Sequence, residues 1–85
     1  VLSATATLDF PSTATGVQNT LTITVTGASV GDTVCLGVPD GSSNTGGVFD
    51  AWVSATNTVT VRFTNPTLVA INPASGTFRA TIIIF

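Results

Sequence analysis

Lysine, glutamate, histidine, methionine and tyrosine are absent from this 85-residue chain, whose ionic side chains are Arg62, Arg79 and the aspartates 9, 32, 40 and 50. Without histidine the commonest general base is missing. Cys35 is the lone cysteine, so it has neither a histidine to activate it nor a partner for an internal disulfide. One cysteine and no histidine also leave zinc without a ligand set. Asp40 and Asp50 flank a glycine-rich stretch and are a pair to weigh for glycoside hydrolysis, but aspartates in turns and at strand ends are the plainer reading. Asp40, Ser42 and Asn44 alternate as calcium ligands do, yet no glycine stands at the sixth place of such a loop and no acid at the twelfth. A solvated turn is expected there, and no enzyme activity, metal or cofactor.

Two arginines against a net charge of -2 remove the electrostatic attraction on which nucleic-acid binding depends. Mean hydropathy is positive at +0.57, but no apolar run approaches the roughly 20 residues that span a bilayer, so neither nucleic acid nor membrane insertion is expected. No apolar run is longer than the four residues Ile82-Ile83-Ile84-Phe85. No positively charged segment opens the chain, so a signal peptide is not visible in it.

What the chain does have is threonine in alternation. Over Thr58–Thr64 the apolar residues are Val59, Val61 and Phe63, with Thr58, Thr60, Arg62 and Thr64 between them. A period of two marks a strand with one buried and one wet face. Phe49, Ala51, Val53 and Ala55 keep the same parity, with Asp50, Trp52 and Ser54 opposite, and the two runs meet at Thr56-Asn57. Asparagine tolerates the positive φ of a tight turn, so a hairpin is expected. Residues 3–10, 20–26 and 33–38 alternate in the same way. Threonine favours the pleated backbone and still presents a hydroxyl to water. Residues 67–72 read as either a short strand or an extended link. Residues 77–85 form the last strand, and its second half is apolar on both faces, which requires cover on both.

No stretch carries a useful helical period. The pattern predicts one all-β domain over residues 1–85, a small antiparallel β-sandwich of about six to eight strands. Cys35, with apolar neighbours on both sides, is expected to be a small buried hydrophobe. Arg62 and Arg79 are expected as outward partners of Asp9 or Asp50. So little charge gives weak protection against association, and Trp52, Ile83 and Phe85 are the candidate subunit-interface residues. Trp52 has a second reading, in which it stacks on a sugar while Asp40, Asn44 and Asp50 bind hydroxyls.

Leu8-Asp9-Phe10-Pro11-Ser12, the segment Thr22-Ile23-Thr24-Val25-Thr26-Gly27-Ala28-Ser29-Val30-Gly31-Asp32-Thr33-Val34, Val53-Ser54-Ala55-Thr56-Asn57-Thr58-Val59-Thr60-Val61-Arg62 and Asn72-Pro73-Ala74-Ser75-Gly76-Thr77-Phe78-Arg79-Ala80-Thr81-Ile82 together resemble a small C-terminal β-domain of tailed-bacteriophage virion proteins. Head fibres, tail fibres and tailspikes carry such domains. The resemblance covers nearly the whole chain. It implies a structural, non-enzymatic module on the virion exterior, part of a longer fibre chain, assembled as a homotrimer and in contact with other virion proteins. A host-glycan-binding tip and a capsid-decoration domain are the alternatives.

Overall fold

The computed structural model describes residues 1–43 and 46–84. The strands are β1 (Leu2–Leu8), β2 (Gln18–Thr24), β3 (Thr33–Gly37), β4 (Val48–Ala55), β5 (Thr58–Thr64) and β6 (Gly76–Ile83), with one helical turn, α1 (Asp40–Ser43), between β3 and β4. They form two three-stranded antiparallel sheets, ordered β1-β6-β3 and β2-β5-β4. The chain is all-β, as its alternation predicts. Among the described strands β4 and β5 form the one hairpin, and every other link carries the chain from one sheet to the other.

The central strand of each sheet supplies the deepest core. Val59, Val61 and Phe63 on β5 and Phe78, Ala80 and Ile82 on β6 are each 0% exposed. A strand flanked on both sides has its inward side chains covered laterally as well as from the opposite sheet, whereas an edge strand lacks one flank. Leu2, Ala4 and Ala6 on β1, Leu21 on β2 and Val34 and Leu36 on β3 accordingly face the same core but stay half-buried. Phe10, just past β1, closes the core, with its ring centroid 5.6 Å from Phe49, 6.1 Å from Phe63 and 5.9 Å from Phe78. Phe49 and Phe78, 5.2 Å apart, join the two sheets directly.

The hairpin closes through Thr56-Asn57, and Asn57 takes φ 63°. The register slips on the way, since Val53 pairs with Val59 but Ala55 with Thr58. Ser54 is the extra residue of a bulge. Ala55, apolar-side by simple alternation, is exposed in consequence. The tip of the hairpin is tied to the β2–β3 link. Asn57 Oδ1 accepts from the Gly27 amide at 2.8 Å, its carbonyl accepts from the Val25 amide at 2.8 Å, and its amide donates to the Ala28 carbonyl at 2.9 Å.

The opposite end is organised by Asn65, a buried polar residue at 0% exposure. Its Nδ2 donates to the carbonyls of Thr13 at 2.9 Å and Val69 at 2.8 Å. Its Oδ1 accepts from the Thr67 amide at 2.9 Å and the Thr67 hydroxyl at 2.6 Å. Thr13, also 0% exposed, exchanges backbone hydrogen bonds with Ile71. This bridge is all the strand structure that residues 67–72 contain. The local alternation there had left strand and extended link undecided.

Three expectations are corrected. Cys35 is exposed. It lies on the side of β3 opposite Val34 and Leu36, and β3 is an edge strand whose sole neighbour there is Thr81 of β6. Ser42 is buried at 1% and donates to the Ala74 carbonyl, so the expected solvated turn is a docked helical turn. The last strand, expected over residues 77–85, spans Gly76–Ile83, so Ile84 lies past its end and is 53% exposed, while Ile82 is fully buried.

Candidate functional site

The outer face of the β2-β5-β4 sheet carries a group of polar side chains around Trp52. Strand register builds it in rows, Thr20, Arg62 and Asp50 in one and Thr22, Thr60 and Trp52 in the next. All stand on the parity opposite the buried Val59, Val61 and Phe63. Arg62 Nε donates to Asp50 Oδ1 at 3.0 Å and Nη2 to Asp50 Oδ2, a two-pronged ion pair of the kind that suits the planar guanidinium fork. The Arg62 guanidinium carbon sits 4.9 Å from the Trp52 ring centroid, within cation–π range. Beside it Thr60 donates to Ser54 Oγ at 2.6 Å, Ser54 standing on the same side as Asp50 and Trp52.

The hydrogen bond to Asp50, aided by that carboxylate's charge and opposed by desolvation, raises the Arg62 pKa above its ordinary value. A cation pKa raised by folding favours the folded state at every pH below the unfolded value, and the gain is lost only as pH rises through the folded one. Arg62 is therefore charged throughout the working range. Replacing it with alanine is expected to uncover one face of Trp52. The single tryptophan's emission should shift to the red and acrylamide quenching should rise, while the melting temperature changes little, because an exposed ion pair stabilises weakly. An unchanged spectrum would show that the stacking is not kept in solution.

No family model, curated protein or solved structure matches the chain. Its candidate residues are therefore placed by geometry alone. Trp52 is 39% exposed on this outer face beside Asp50, with Arg62 stacked on its ring. Asp40 belongs to a different element, α1, and Asn44 lies outside the described residues, as does Phe85. Ile83, opposite Thr33 in register and half-buried, stands on the outer face of the other sheet, since its neighbour Ile82 points into the core. Trp52 and Ile83 are thus on different outer faces, and one flat contact does not use both.

Arg62 found the partner that its parity predicts, Asp50. Arg79 instead donates to Ser3 Oγ at 3.1 Å across the β1–β6 pair. Sequence reasoning missed Asn65 and the segment it braces, where Leu68 is 93% exposed and Val69 67%. The available signal was an asparagine directly after a strand and before Pro66, since asparagine binds nearby backbone in turns. The described residues enclose no pocket and bring no three metal-ligating side chains together.

Proposed function

We propose that the chain is a structural module of a bacteriophage virion, a β-sandwich domain of a head fibre, tail fibre or tailspike that works packed against copies of itself, three per assembly, on the particle exterior. The observation that carries self-association is the end of β6. Ile82 is fully buried, Ile83 is half-buried on the outer face and Ile84 is 53% exposed, in a chain with two cations. Val1, at 88% exposure, precedes Leu2, which pairs with Ile82, and so extends this apolar end. Exposed apolar surface of this kind marks contact sites. The aromatic contact between Phe78 and Phe49 supports the sandwich, and the resemblance at residues 8–12, 22–34, 53–62 and 72–82 supports the virion setting and the number three. A ring of three needs a heterologous contact, in which two different patches meet, and the faces bearing Trp52 and Ile83 supply two such patches.

Light scattering after size exclusion tests this reading. Ile83→Asp is expected to dissociate the assembly at temperatures where the domain stays folded, because a buried charge without a partner costs several kcal/mol. A mass unchanged by the substitution removes Ile83 from the interface.

Trp52 favours a second reading, a tip that binds host surface glycan. It remains partly exposed beside the Arg62–Asp50 pair and the hydroxyls of Ser54 and Thr60, and aromatic rings flanked by polar groups hold sugars by stacking. On a glycan array Trp52→Ala is then expected to abolish binding. Equal binding by the variant and the parent would end the reading.

A further inference from the structure

The first strand has a property that pairing with β6 does not use. Read forwards, β1 is Leu2-Ser3-Ala4-Thr5-Ala6-Thr7-Leu8; read backwards, it differs only by exchange of serine with threonine. It is an edge strand. Its seven residues contain no charge, no proline and no register shift. Those are the features by which edge strands ordinarily prevent pairing with another chain.

We propose that the β1 edge is a docking site for the β1 edge of a second copy, joined antiparallel about a two-fold axis through Thr5. In that register Leu2 faces the second copy's Leu8, Ser3 faces Thr7, Ala4 faces Ala6 and Thr5 faces Thr5. Ser3, Thr5 and Thr7 lie on the outer face, where hydroxyl pairs across strands hydrogen-bond. Leu2, Ala4 and Ala6 face the core and are half-buried for want of a neighbouring strand, and pairing covers them. The two sheets would run on as one sheet of six strands.

The other edges fit less well. On β2 the same operation about Leu21 sets Asn19 against Ile23 on the core-facing side. β4 is bulged between Val53 and Ala55 and carries Asp50. β3 has five residues and is followed by Pro39.

Charge does not oppose the pairing. Within the seven-residue register no ion is desolvated and no like charges meet, because Arg79 lies one strand in, paired with Thr5, and Asp9, just past the strand, comes opposite Val1 of the second copy. The contact is small. Seven residues at about 3.4 Å each, across two sheets about 10 Å apart, fall short of the roughly 800 Å² per partner of a standard interface. A reversible, concentration-dependent dimer is therefore expected. A two-fold contact closes on a pair, so it is independent of the three-fold assembly proposed above.

Sedimentation equilibrium over a wide concentration series, in reductant, tests the proposal. A species of twice the 8.5 kDa chain mass is expected. Thr5→Lys, which sets two lysines face to face beside two arginines, should raise the dissociation constant at least tenfold, about 1.4 kcal/mol. The matched change Thr20→Lys on the β2 edge, also beside an arginine in register, should alter it less than about twofold. In a Cys35→Ser background, Thr5→Cys should give a covalent dimer under a short thiol cross-linker and Ser3→Cys should not, since only Thr5 meets its own copy. A monomer at every concentration, a dimer indifferent to Thr5→Lys, or cross-linking through Ser3→Cys in place of Thr5→Cys overturns the proposal. A trimer that Ile83→Asp dissociates and Thr5→Lys does not also overturns it, while supporting the fibre reading. A dimer that Thr5→Lys splits stands even where Ile83→Asp changes nothing.

Discussion

Asn65→Ala is expected to lower the stability of the fold by about 2–4 kcal/mol, through one backbone amide left without its partner and the further hydrogen bonds lost with the side chain. The asparagine is 0% exposed, and both ends of its amide are used. Alanine would strand the Thr67 amide and take one of two hydrogen bonds from each of two carbonyls, since that of Thr13 keeps the Ile71 amide and that of Val69 keeps the Thr67 hydroxyl. A buried group without a partner costs about 1–3 kcal/mol, and neighbouring losses do not add fully. For scale, a chain of this length holds roughly 4–13 kcal/mol in total. Urea denaturation checks the magnitude. Amide exchange locates it, because opening should concentrate at residues 67–71 and around Thr13, which the asparagine ties together. Asn65→Asp is expected to destabilise as well, since it keeps the acceptor but loses both donors and buries a charge. A loss below about 1 kcal/mol for Asn65→Ala would mean that water replaces the amide without strain.

Phe10→Ala should cost about 3–5 kcal/mol, the range for truncating a buried aromatic. The ring is 1% exposed and touches Phe49, Phe63 and Phe78, side chains from three strands in two sheets. Its removal opens a cavity where those sheets meet, and strands on both sides cannot collapse into it together without breaking register. Phe78→Ala removes a ring from the same cluster. A double-mutant cycle between the two should give a coupling of about 0.5–1.5 kcal/mol beyond area burial. Additive effects would place the rings in separate environments and contradict the 5.9 Å centroid spacing.

Much of the architecture was readable because the β period is local. Val59, Val61 and Phe63 alternate with Thr58, Thr60, Arg62 and Thr64, and the burial of β5 follows that order residue by residue. The Arg62–Asp50 pair was readable only in part, since alternation puts both residues on the outward side, but a turn at Thr56-Asn57 alone would set Asp50 opposite Phe63, and the bulge at Ser54 brings it opposite Arg62. Ala55 escaped, because a bulge depends on how two strands twist together and shifts parity by one residue. Cys35 escaped for another reason. Apolar neighbours in sequence say nothing about whether a strand has a flank, and β3 has none on one side.

From its composition and alternation the chain dictates an all-β domain with a hydroxyl-rich outside, a hairpin at Asn57 and few ions, because side-chain parity and turn chemistry act over a handful of residues. Which strands lie at the edges, what Asn65 holds together and that Trp52 and Ile83 look out from different sheets were decided by the tertiary structure. Those properties belong to pairs of segments far apart along the chain, and their energies exist only once the two sheets have closed on a common core.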